Sequence, residues 1–258
     1  MNIEWNKVTW YSKLIAVVLF VLTFYIGFKL GQEQGELSAS TKNTTESSAT
    51  KTTNVTPISI KSQNIKEENF TGKVAVISGS SNLAIEAQKY IDQTISDFRK
   101  QANIDVPDIR AKFGAGSPPA TYEIDIDATY IKGPTTESIV MSLYEYTGGA
   151  NGNSTYKVIT ASNANGKILS LADIIKKDEQ TTFTEFVKKA LLNWQPEGST
   201  APVVFTEEVN GLQFNSFTNW SLDNKNLVIY FDKYAVGPGA LGPVALPIPL
   251  STIKNFTL

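Results

Sequence analysis

Apolar residues recur along this chain in three rhythms. Residues 14–28 read LIAVVLFVLTFYIGF, unbroken and uncharged. Across residues 81–103 apolar positions return every third or fourth residue. Ala84, Ala87, Ile91, Ile95 and Phe98 share a stripe, the spacing of one helix face. Ser81 or Asn82 can cap its start, and Pro107 is expected to lie beyond its end. Residues 122–131 (YEIDIDATYI) alternate instead. Tyr122, Ile124, Ile126, Ala128 and Tyr130 take one face; Glu123, Asp125, Asp127 and Thr129 take the other.

Further elements follow by the same reasoning. Residues 138–146 (SIVMSLYEY) form a second strand, set off by the break at Gly133-Pro134. Residues 155–161 form a third, and Asn165-Gly166 marks a hairpin turn after it. Ser170 and Asp173 have capping-box spacing for a short helix. Thr182 and Glu185 repeat that spacing before an amphipathic helix over 182–194, with Phe183, Phe186, Ala190 and Trp194 inward. Late strands are expected over 214–221 and 226–231, joined by an Asp223-Asn224-Lys225 turn. Pro247 and Pro249 make the last extended stretch an edge strand or no strand. Helices set among antiparallel strands give an α+β class, antiparallel sheets with packed helices.

The uncharged run sets the expected organisation. With its flanks, residues 10–30 can span about 30 Å as a helix, a bilayer core. Trp5, Trp10, Tyr11 and Tyr25, with Lys13 and Lys29, are placed as interfacial anchors. A cleaved signal is the rival, but the small residues Ser38-Ala39-Ser40 lie too far beyond the run. The expectation is a short cytoplasmic tail at 1–12, a transmembrane anchor at 13–30 and a disordered Ser/Thr-rich linker at 31–57. A module at 58–120 and a domain at 121–258 would stand outside the cytoplasmic membrane, in a single-pass topology. Lys7 and Lys13 favour a cytoplasmic N-terminal side.

Composition narrows the chemistry. The chain has 258 residues, a formal charge of −2, and neither Cys nor His. That excludes Ser-His-Asp and Cys-His catalysis, thiolate metal sites and His-based zinc sites. The near-neutral balance argues against a nucleic-acid partner. No cofactor and no metal site are expected. The carboxylates Glu123, Asp125 and Asp127 stand about 7 Å apart on one strand face. Such spacing suits glycoside hydrolysis, but it equally suits the solvated face of a half-buried sheet.

The stretch EYTGGANGN, residues 145–153, sits between two strand patterns rather than before a helix. It therefore reads as a hairpin connection needing φ > 0 at two or more positions, and not as a phosphate cradle. Together with GKILSLADII further on, this string resembles the signature of the RsiV-type extracytoplasmic domain of bacteria. Gly148, Gly149, Ala150, Gly152 and Asn153 fit it, as do Gly166, Lys167, Leu169, Ser170, Leu171 and Asp173. Asp232, Tyr234, Pro238 and Gly242 fit the family's closing run. Two positions depart: Asn151 stands where the family has His, and Gly239 where a Tyr often follows the proline. The resemblance covers about residues 121–253, and the helix before it resembles a companion module found beside PdaC-type deacetylases.

The resemblance implies a non-catalytic binding or sensing domain that meets a protein, lysozyme-like, or a cell-wall glycan. Gly148, Gly149, Asn151, Asn153, Tyr234, Pro238 and Gly239 are its candidate ligand-binding residues. The membrane is a further partner, through the N-terminal helix. A carboxylate-dependent glycan hydrolase or lyase is the alternative, and a structural accessory subunit a third reading.

Overall fold

The computed structural model describes residues 56–114, 116, 121–196, 198–199 and 203–256. It is an α+β fold with two sheets and packed helices. The expected cytoplasmic tail, membrane anchor and most of the linker lie outside the described residues. Among the described residues, no helix is long and apolar enough to cross a membrane.

The first sheet has five strands in chain order: β1 (Ser59–Lys66), β2 (Phe70–Ser78), β3 (Tyr122–Lys132), β4 (Thr136–Tyr146) and β5 (Asn153–Ser162). All neighbours are antiparallel except β2 and β3, which run parallel with Phe70 opposite Tyr122. A parallel pair needs a long crossover. Helix α1 (Asn82–Phe113) supplies it and lays Leu83, Ala87, Ile91, Phe98, Ala102 and Val106 on one sheet face. Ser81 caps it, its hydroxyl accepting from the Ala84 amide at 3.2 Å.

The periodicity ends this helix at residue 103, yet it runs through Pro107 to Phe113. Proline inside a helix removes a hydrogen bond. Tertiary contacts offset that loss here. Val106 is fully buried, the Tyr122 hydroxyl donates to Asp105 at 2.9 Å, and Arg110 donates to Asn69 Oδ1 at 3.0 Å. Arg99 forks onto the Glu67 carboxylate at 2.8 to 3.1 Å, tying the helix to the β1–β2 turn.

The second sheet holds β6 (Trp220–Leu222), β7 (Asn226–Phe231) and β8 (Val244–Pro249), in that order. The stretch with Pro247 and Pro249 is thus an edge strand. Helices α2 (Gln180–Leu192), α3 (Thr206–Gly211) and α4 (Leu250–Ile253) complete this half. Its core joins Leu171, Phe183, Val187, Phe217, Trp220 and Ile229. Two expectations are corrected. Residues 214–221 are not one strand: Phe214–Ser216 is a 3₁₀ turn, and pairing starts only at Trp220. Phe214 and Phe217 pack edge-on against Phe183, with ring centroids 6.3 Å away in each case. Helix α2 starts at Gln180 after Glu179, so Thr182 and Glu185 cap nothing.

One core gathers residues between Phe70 and Ala161, the other residues between Leu171 and Ile253. Position 120, the expected module boundary, falls between the parallel partners β2 and β3 of one sheet.

The open edge of β5 is where the halves join. The Asn219 carboxamide donates to the Tyr156 carbonyl at 2.9 Å and accepts from the Val158 amide at 3.0 Å. Asp232 Oδ1 accepts from the Tyr156 amide at 2.7 Å. Leu169 and Lys167 complete the edge through Thr160 and Ser162. Deeper in, the Thr160 hydroxyl donates to the Trp220 carbonyl at 2.7 Å. Its one proton is then committed, so Ser138 is the donor in the 2.8 Å contact between the two hydroxyls.

Candidate functional site

The β4–β5 connection is a hairpin turn, as its glycines imply. Gly148 and Gly149 adopt φ of 104° and 93°, which side-chain-bearing residues rarely take. The Tyr146 hydroxyl donates to the Gly149 carbonyl at 3.0 Å across this turn. Gly152 is buried under an aromatic ring: a Cβ there would come within 2.4 to 2.6 Å of Tyr144.

The chain leaving β7 forms a second turn with the same device. Tyr234 has φ of 70°, the one positive value outside glycine among the described residues. Its ring lies against Gly239, where a Cβ would come within 2.3 to 2.5 Å of it. Pro238 leads into the 3₁₀ turn Gly239–Leu241.

Lys233 fastens the two turns. Its amide donates to the Ser154 carbonyl at 3.0 Å. Its ammonium donates to the Gly152 carbonyl at 2.7 Å and sits 5.1 Å from the Tyr234 ring centre. Between the turns lies a depression of about 310 Å³, lined by Tyr144, Tyr146, Asn151, Lys233, Gly239 and Leu241 among others. Tyr234 is 59 % exposed and Tyr144 37 %. The arrangement offers two aromatic surfaces, a carboxamide and backbone polar groups that glycine leaves accessible.

Of the candidates read from the sequence, Asn151 and Gly239 line this depression. Tyr234 packs on Gly239, Pro238 precedes it, and Gly148 and Gly149 shape the facing turn. Asn153 opens β5 opposite Glu145, on the sheet face away from Tyr144 and Tyr146. Lys233, Tyr144 and Tyr146 are not among the candidates read from the sequence. A lone lysine in a turn carries no periodic signal.

The acidic row is on one face of β3 as the alternation implies. Glu123 pairs with Tyr146, Asp125 with Tyr144 and Asp127 with Ser142. Asp125 accepts from the Lys73 amide at 2.8 Å. The depression is lined by the tyrosines, not by the carboxylates opposite them. Among the described residues, no group of three or more acidic side chains could hold a metal ion. A second, larger trough of about 970 Å³ lies along α1, and none of the sequence-derived candidates lines it.

Residues 172–251 match the family DUF3298. Its description is a protein of unknown function. The match includes Tyr234, Pro238 and Gly239 and begins after the 148–153 turn. A DUF3298 family member from Bacteroides fragilis has a similar structure, with a TM-score of 0.56 and 17% identity over 79% of this chain and 94% of that one. A DUF3298 family protein from Pseudomonas aeruginosa superposes with a TM-score of 0.51 and 15% identity, over the same shares of the two chains. At these identities the likeness is one of fold. Among curated proteins, nothing matches the chain.

Proposed function

We propose that this chain is a non-catalytic recognition domain, tethered outside the cytoplasmic membrane by residues 13–30. Its ligand is a protein or a cell-wall glycan, met by the face formed from residues 148–153 and 232–242. One observation carries the reading: turns about 80 residues apart in sequence are fastened by Lys233 around one depression lined by Tyr144 and Tyr146, with the exposed Tyr234 ring packed on Gly239 of its lining. Tyr234 in a left-handed conformation is backbone strain of order 1–3 kcal/mol kept at a surface. Strained residues of that kind cluster at active sites and ligand clamps. The RsiV-type resemblance of the same two turns supports the same face, and the uncharged run at 14–28 supports the tether.

Calorimetry of a 56–258 fragment against peptidoglycan fragments and against lysozyme tests the reading. Binding that is lost in Tyr234→Ala and Tyr144→Ala supports it; binding indifferent to both variants removes this face from consideration. Protease shaving of intact cells tests the topology, since an outward domain is digested and an inward one survives.

A second reading rests on the carboxylate row beside Tyr144 and Tyr146. If the domain cleaves glycan, turnover disappears in Asp125→Asn and Asp127→Asn while binding persists.

A further inference from the structure

We propose that the trough beside α1 binds a single-chain amphiphile with an anionic head, of which a long-chain carboxylate is the simplest example. The proposal does not depend on the reading of the two turns.

The trough measures about 970 Å³, at the upper end of the volumes that hold small ligands. One wall is a helix face: Asn82, Glu86, Tyr90 and Gln93 line it, a run of about 16 Å along the axis. The facing wall includes Ile159 from β5 with Ile168, Leu169 and Leu171, and Phe214 and Phe217 lie among the remaining lining. Both hydrophobic cores border this space and neither fills it. Ile168 remains 36 % exposed. Each methylene placed against such walls gains about 0.8 kcal/mol, so a long unbranched chain suits the length and the chemistry.

The charges on the rim select the head group. Glu86 lies 3.7 Å from Lys89, within ion-pair range. Lys157 has no carboxylate within ion-pair range among the described residues, and its ammonium sits 5.4 Å from the Tyr90 ring centre. The lining therefore carries one cation without an ion-pair partner beside an apolar channel. An extended peptide is a poorer occupant, because its backbone needs hydrogen-bond partners. The β5 edge at this place is already closed by Asn219, Asp232 and residues 167–169. An acyl chain makes no such demand.

The test uses the full chain and a palmitate analogue bearing a photoactivatable diazirine on its tail, with labelled peptides mapped by mass spectrometry. The expected label falls on peptides holding residues 82–93 and 168–172. Palmitate should compete at least roughly tenfold better than hexadecanol, since a charge-assisted hydrogen bond to Lys157 is worth about that factor. Lys157→Met should lower labelling by a similar factor, Ile168→Asp should abolish it, and Tyr234→Ala should leave it unchanged. Label confined to residues 14–28 or scattered over the surface overturns the proposal. So does equal competition by the alcohol. Should Ile168→Asp fail to fold, the Lys157→Met result decides by itself: full labelling in that variant rejects the site.

Discussion

Lys233 donates its ammonium to the Gly152 carbonyl at 2.7 Å, a contact between residues 81 positions apart. It is one of two bonds this residue makes to the β4–β5 side, the other being its amide to Ser154. Lys233→Met keeps the aliphatic stem and deletes the ammonium. The expected cost is about 1.5–3 kcal/mol, the range for a hydrogen bond from a charged donor. Hydrogen exchange should accelerate at residues 148–153 while the α1 amides stay protected. Unchanged exchange at that turn would mean the two turns are held together by something else.

Two glycines should respond in opposite ways to the same added methyl. At Gly72 a Cβ would lie 2.1 Å from the Ile124 carbonyl oxygen, a backbone atom of the neighbouring strand. Gly72→Ala should cost about 3 kcal/mol or more, because strands must separate to admit it. At Gly239 the obstacle is the exposed Tyr234 ring, which can swing away. Gly239→Ala should change stability by under about 1 kcal/mol and yet abolish ligand binding. Urea midpoints for both variants, with calorimetry for the second, separate packing from recognition.

Asn219 supplies a side-chain substitute for a strand neighbour along β5. Asn219→Ala leaves a donor at Val158 and an acceptor at Tyr156 unpaired, at an expected cost of about 2–4 kcal/mol. Asn219→Asp keeps the acceptor for Val158 but sets a carboxylate against the Tyr156 carbonyl, so it should rescue little. Light scattering should show association of the Ala variant, since an uncovered edge pairs with other chains. Wild-type urea midpoints in either variant would refute this role.

Acid should loosen the segment that leads out of the first sheet. Asp173 accepts from the Lys167 ammonium at 2.8 Å and from the Ser170 hydroxyl and amide at 2.7 and 2.8 Å. These bonds hold its carboxyl down at about 2, from an ordinary 3.8. A depressed carboxylate stabilises the fold above its unfolded pKa and loses that contribution as pH falls through the folded one. The urea midpoint should therefore drop as pH falls from about 4 to about 2, and Asp173→Asn should flatten the slope in that window. An identical slope in the variant would assign the acid sensitivity to other groups.

Legibility in the sequence followed burial. Strands β3 and β4 and the first part of α1 were readable because each buries a regular face, with Ile124 and Ile126 in the core and Tyr144 outside it. Strand β1 was not, because its residues are almost all exposed and its half-buried Ile60 and Ile65 fall out of alternation. Residues 214–221 misled through their aromatic content. Phe214, Phe217 and Trp220 recur every third residue, which suits a 3₁₀ turn feeding a ring cluster. The extension of α1 past Pro107 depends on Tyr122 and Asn69, partners that no local window contains. The two glycine turns of the site were visible as turns. Their meeting was not, since it rests on Lys233 and Asp232, residues whose partners lie far away along the chain.

The caps on β5 also set a schedule for biosynthesis. Asn219 and Asp232 follow the strand they cover by 61 to 76 residues. A nascent chain therefore carries a sheet margin bare at Tyr156 and Val158 from the moment β5 pairs until Asn219 and Asp232 emerge from the ribosome. Translation arrest or clipping between residues 193 and 219 would release a product with Tyr156 and Val158 permanently uncovered, and such truncated species should be the first to aggregate.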